Sequence, residues 1–324
     1  MTIRAREPVT NLEPLARRLR EAALDVIWRQ WRAVGAQAAA GKRAHSMVDP
    51  EALILISVTL MQVEPRLADL LNDWVALNSD LLSVQRMKNL KPGYPEAAGE
   101  GLSWLAGVAL DRGKDARWRS FLTHTSQVAA ARATPKSLRT NKTRAIRPRF
   151  ASPATLMLQL RLGFGVGAKA DVLGYLLATE GARATVREIA SATSYTVAAV
   201  RRAAEDMAAA QLIHVSSGKP VDYRADRAGW TEVLGLTQGP PAWRSWHHRF
   251  AFVAAFLAHA QGASTHSTSP YAAGVKGREL LERHRSAFEL DLVTVWSEHT
   301  PVADWVGFLE SAVAALAKWM VEKA

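Results

Sequence analysis

Between Lys169 and Arg224 the chain carries a succession of start and stop signals that leaves little freedom in what it can form. Val172, Leu173, Leu176 and Leu177 recur at the helical period, which predicts a helix over Lys169 to Thr179. Gly181 ends it, glycine being the usual residue just past a helix C-terminus. Thr185 opens a second helix, and Glu188 three positions on completes a T-x-x-E capping box, in which both residues satisfy free N–H groups of the first turn. Ser191 to Tyr195 reads as a short polar turn. Thr196 then caps a third helix that sends Val200, Ala203, Ala204 and Met207 inward. Two strand-like segments, Leu212 to Val215 and Val221 to Arg224, flank Ser216 to Pro220, and turn residues between two such segments signal a hairpin.

This order of parts resembles the small winged helix-turn-helix transcriptional regulators of bacteria, over the central stretch only. In that family the third helix enters the major groove of DNA and the hairpin wing lies along the backbone or minor groove. The resemblance implies a DNA-binding set of Arg187, Ser194, Tyr195, Thr196, Val197, Ala198, Arg201, Arg202, Lys219 and Arg224. The chain departs from the family pattern at two places. Ser194 stands where many such regulators have Gly, and Val197 and Ala198 stand early in the third helix, where they have Lys or Arg. Val and Ala can touch a thymine methyl but cannot make bidentate hydrogen bonds to guanine or adenine. Arg201 and Arg202 remain as candidates one turn later, with Tyr195 and Thr196 as phosphate contacts.

The fold also serves as a protein-docking module, so it does not decide the partner by itself. Residues 49–90 and 163–177 are similar to regions of uncharacterised prokaryotic proteins in which a winged helix follows. Genes of that group can neighbour nucleotidyltransferase-type toxins. The alternative function implied is therefore a protein-interaction module, an antitoxin-like partner of such a toxin.

The net charge of +11 sharpens the DNA reading through its location. Residues 116–170 hold no Asp or Glu but eleven cations: Arg117, Arg119, Arg132, Lys136, Arg139, Lys142, Arg144, Arg147, Arg149, Arg161 and Lys169. The 30 Lys and Arg elsewhere balance the 30 acids, so the whole excess lies just upstream of the capping box. Arg139, Lys142, Arg144 and Arg147 belong to the polar stretch Thr134 to Arg149, which lacks apolar periodicity and reads as a linker or a basic arm. Such an arm would neutralise phosphates and release counterions.

The flanks read as helical. Asn11 caps a helix to about Val34, with Leu12, Leu15, Leu19, Ala23, Ile27 and Trp31 as its stripe. Asp49-Pro50-Glu51 is a start signal combining cap, proline and first-turn acid. Helices follow over Arg66 to Leu77, after Asp80, over Trp104 to Leu110 and Ala116 to Leu122, and from Ser152 through Leu162. The run Gly163 to Gly167 lacks the Lys-Ser/Thr of a P-loop and follows no strand, so it reads as a tight turn. Beyond the hairpin, helices are predicted over Trp230 to Leu236, Ala242 to Gln261, Arg278 to Phe288 and Val302 to Val321, with a loop over Gly262 to Pro270. The expected architecture is mainly α: an N-terminal helical domain (1–131), a basic linker (132–150), a winged helix-turn-helix (151–238) and a C-terminal helical bundle (239–324).

Nothing in the sequence gathers catalytic chemistry. Adjacent His247 and His248 point about 100° apart on a helix and cannot grip one metal from a single turn. His284 and His299 have no partner at ligand spacing, and Asp69 and Asp73 read as a solvated face. Neither an enzyme, a metal nor a cofactor is expected. The eleven tryptophans lie mostly at core-facing helical positions, with Trp28 and Trp296 as the candidates for a ligand pocket. The polar N-terminus MTIRAREPVT and the lack of ~18 consecutive apolar residues point to a cytoplasmic chain without a membrane span, and the absence of cysteine excludes disulfides and thiolate metal sites while leaving the redox compartment open. Double-stranded DNA is the expected partner, bound by a homodimer reading two half-sites.

Overall fold

The structure, a computed structural model, describes residues 12–37, 41–122, 147–150, 152–265, 270–288, 301 and 304–324. The described chain is mainly helical with one small three-stranded sheet. It divides into two compact units. The larger takes in 27–92, 96–247 and 324, and the smaller 1–26, 93–95 and 248–323. Backbone bonds tie distant segments of the larger unit together: Met47 N donates to Ala242 O (3.1 Å) and Val48 N to Ala154 O (2.9 Å).

Helix α1 (Glu13–Ala33) ends within a residue of its predicted limit at Val34, and the expected Asn11 cap lies outside the described residues. In α2 (Pro50–Leu60) the start signal works as read: Asp49 caps it, its side chain accepting from Ala52 N, and Pro50 occupies the first turn. Then come α3 (Arg66–Asn78), α4 (Val84–Leu90) and α5 (Glu96–Asp111). Helix α5 is longer than its apolar pattern suggests, and a 3-10 turn covers Ala116–Phe121. Helix α2 packs against α3, α4 and α5. Gly101 permits the α5 contact, since a Cβ there would sit 2.7 Å from Val58 Cβ. Trp31 and Trp74 meet edge to face at 5.4 Å, and their indole N–H groups donate to Ser57 Oγ (2.9 Å) and Val34 O (2.8 Å). Buried tryptophans need such partners.

The second core of the larger unit is built by α6 (Leu156–Phe164), α7 (Ala168–Ala178), β1 (Ala184–Thr185), α8 (Val186–Thr193), α9 (Val197–Ala209), β2 (His214–Val215), β3 (Asp222–Arg224) and α10 (Arg227–Val233). Leu160, Leu173, Leu176, Ile189, Val200, Ala204, Met207, Ile213 and Tyr223 close on one another there. The Thr185–Glu188 capping box forms in full, and Thr196 caps α9. The sheet order is β1-β3-β2, all antiparallel, with Ala184 opposite Tyr223 and Val215 also opposite Tyr223. The hairpin strands are shorter than predicted. Strand β1 was not anticipated: two residues cannot display alternation, and Thr185 serves both as its end and as the α8 cap.

Helix α11 (Trp246–Thr265) begins four residues later than Ala242 and runs past Gly262. The prolines before Ala242 and the bond from Trp243 N to Ala178 O (3.1 Å) keep Trp243 outside it, edge-on to Tyr175 at 5.3 Å. The smaller unit contains most of α11, with α12 (Pro270–Arg283) packed on α13 (Trp305–Lys323). Phe252 contacts Phe256 and Phe288, and the Arg249 guanidinium lies 3.9 Å over the Trp319 ring. Helix α12 starts well before Arg278, and α13 buries Leu309, Val313, Leu316 and Met320 as its spacing predicts. Among the described residues no helix is long and apolar enough to cross a membrane.

Candidate nucleic-acid interface

The helices α8 and α9 are joined at Ser194, which adopts the left-handed region (φ 58°) as the cap of α8. That conformation is the reason glycine would be favoured there. Thr196, Val197 and Ala198 are exposed at the start of α9, with the Thr196 hydroxyl oxygen accepting from Ala199 N at 3.2 Å. Arg201 and Arg202 are exposed on the next turn, and Arg187 is exposed on α8. Lys219 is exposed in the hairpin loop and Arg224 on β3. The opposite face of α9 carries Val200, Ala203, Ala204 and Met207 into the core, which fixes the exposed arginines outward.

Tyr195 sits differently from the other members of the expected set. Its hydroxyl points inward, donating to Asp171 Oδ2 and accepting from the Ser83 hydroxyl, each at 3.0 Å. Burial and the Asp171 charge push its pKa well above the usual phenol range. Arg147 is exposed but forms a fork with Asp80 (3.1 Å). Arg139, Lys142 and Arg144 lie outside the described residues, as does Trp296. Several cations of the acid-free stretch are paired with acids from elsewhere: Arg117 with Asp115, Arg161 with Glu51 and Asp171, and Lys169 with Asp206. The positive excess is thus partly consumed in structural pairs. Among the described residues no group of three or more His, Asp or Glu side chains is placed to hold a metal ion.

Behind the turn lies a buried charge network that the sequence reading did not find. Arg86 of α4 forks onto Asp49 and reaches Glu51 Oε2 (2.7 Å), while its Nε donates to Thr193 O (2.7 Å). Arg161 of α6 clasps Glu51 (2.6 and 2.9 Å) with one edge and Asp171 (2.8 Å twice) with the other, and donates to Leu81 O. All five charged groups are buried, with Glu51, Arg86 and Asp171 at 0% exposure. Burial by itself pushes the Asp49 and Glu51 carboxyls up. The Arg86 and Arg161 guanidiniums outweigh it and hold both below the ordinary carboxylate range. A signal was present for part of it: Glu51, Arg161 and Asp171 stand in helices that are mostly apolar, and such residues are buried only when paired, whereas Arg86 lies among the polar Gln85, Lys88 and Asn89. The network and Asn89, whose Nδ2 donates to Ser194 O (2.8 Å), clamp both residues at the α8–α9 turn from the α4 side.

Comparison of the chain with protein-family models, with curated proteins and with solved structures finds no match.

Proposed function

We propose that α7 to β3 form a winged helix-turn-helix and that the chain is a DNA-binding transcriptional regulator. The observation that carries this reading is the outward cationic face of α9, with Arg201 and Arg202 exposed one turn after the Thr196 cap. Arg187, Lys219 and Arg224 supply further exposed cations on the neighbouring helix and hairpin. The order helix, strand, helix, turn, helix, hairpin, with β3 between β1 and β2, supports it. Val197 and Ala198 offer methyl groups to base edges, so sequence reading rests on thymine contacts and DNA shape more than on bidentate bonds. A homodimer would place two copies of α9 on two half-sites.

In this account Arg201→Ala with Arg202→Ala lowers affinity for a duplex at least tenfold, measured by mobility shift on a variant with an unchanged circular dichroism spectrum. Unchanged affinity would remove α9 from the contact surface.

A second reading is supported by exposed apolar side chains on the same module. Val197, Val215 and Val221 are 41%, 52% and 43% exposed. Those valines suit a protein surface, as an antitoxin-like partner of a toxin enzyme would need. A stable stoichiometric complex with such a protein, and no duplex binding, would favour it.

A further inference from the structure

We propose that the exposed face of α4 is a phosphate-backbone contact surface continuous with the start of α9. This proposal rests on the DNA-binding reading and extends it to an element outside the winged helix. Gln85, Lys88 and Asn89 are exposed at i, i+3 and i+4 of α4, while Arg86, Met87 and Leu90 face the core, and Lys91 and Pro92 are exposed in the 3-10 turn Lys91–Gly93 that continues it. The face is held against the turn by named bonds. Asn89 Nδ2 donates to Ser194 O (2.8 Å), Gln85 Nε2 donates to Asn89 Oδ1 (3.0 Å), and Arg86 Nε donates to Thr193 O from the buried side. Two residues after Ser194 comes Thr196, the cap of α9, so the two exposed faces meet at the turn.

The chemistry of this face selects an anion. Residues 81–95 contain no Asp or Glu, and Lys88 and Lys91 are both exposed. Two ammonium groups and two side-chain amides fit a row of hydrogen-bond-accepting phosphates better than a carboxylate-poor protein surface. Asn89 reaches the turn that leads into the helix whose first turn, Val197 and Ala198, has no cation of its own, while the Lys91 side chain runs along α5 past Gly99. Lysine phosphate contacts at this position would hold the start of α9 against the groove without reading sequence.

The test is a titration of a duplex with the full chain from about 0.05 to 0.3 M salt, comparing wild type with Lys88→Glu/Lys91→Glu and with the milder Lys88→Gln/Lys91→Gln. Loss of two phosphate contacts makes the slope of log affinity against log salt shallower by about 1.8 and costs at least tenfold in affinity at about 0.1 M salt. Preference between duplexes should persist, because backbone contacts carry no sequence information. A wild-type slope in both variants, in a protein whose binding depends on Arg201 and Arg202, overturns this surface alone. A wild-type chain that binds no duplex overturns the DNA reading and this surface together.

Discussion

Replacing Arg161 with methionine probes the buried network against a control that the same chain provides. Arg161 makes four hydrogen bonds to two carboxylates at 2.6 to 2.9 Å, all of them buried. Arg147 makes a comparable fork with Asp80 at 3.1 Å, but the two side chains are 47% and 56% exposed. Geometry is similar and burial is opposite. In Arg161→Met, Glu51 keeps Arg86 and the Ser83 amide, but Asp171 keeps the Tyr195 hydroxyl and no hydrogen bond from a cation, only the longer-range attraction of Arg86. An uncompensated buried carboxylate costs about 3–5 kcal/mol. Arg147→Met exposes Asp80 to water and costs ~0–1 kcal/mol. In urea, with a slope of about 2 kcal/mol/M, the midpoint of the transition involving the larger unit falls by roughly 2 M for the first variant and under about 0.5 M for the second. Adding Asp171→Leu to Arg161→Met removes the stranded charge and recovers part of the loss. Equal midpoints for the two single variants, or a further drop in the double variant, would refute the reasoning.

Three further outcomes follow from local geometry. Ser194→Gly relieves a left-handed backbone but adds freedom to the unfolded chain, for a net gain of at most about 1 kcal/mol, read as a higher melting temperature; a clear loss would show that the hydroxyl has a role. Gly101→Ala gains ~0.8 kcal/mol of helix propensity but drives a Cβ to 2.7 Å from Val58 Cβ, so urea unfolding should show a net loss of about 1–2 kcal/mol; a stabilised variant would contradict the packing. Burial and Arg283 push the His284 pKa down to about 4, below its unfolded value near 6.5. The unfolded chain therefore binds more protons between those values, and stability falls as pH drops from about 6.5 to about 4. His284→Phe should flatten that slope in urea unfolding, although His259, also lowered by burial, keeps part of it. Asp49 and Glu51 have lowered values, so their contribution is full above about pH 4 and is lost only below it.

What the sequence disclosed and what it hid divide along physical lines. Signals carried by a few adjacent residues were legible: the Asp49-Pro50 start, the Thr185–Glu188 box, the Thr196 cap and the inward stripe from Val200 to Met207. Signals that depend on distant partners were not. Glu51 reads as a first-turn acid, yet its partners are 35 and 110 positions away. Tyr195 reads as a surface phosphate ligand because its neighbours are polar, yet Asp171 and Ser83 draw its hydroxyl inward. The acid-free stretch reads as free positive charge because the acids that pair with Arg161 and Lys169 lie elsewhere in the chain. The role of α4 beside the turn was invisible for the same reason, since Asn89 meets Ser194 across 105 residues of sequence.

The central claim, that this chain binds DNA through the α9 face, is tested most directly by titrating the purified protein against its own upstream DNA and an unrelated duplex across a salt series. The account predicts tight binding to the first, with binding to the second lost as salt rises. No binding to either duplex at low salt would contradict it.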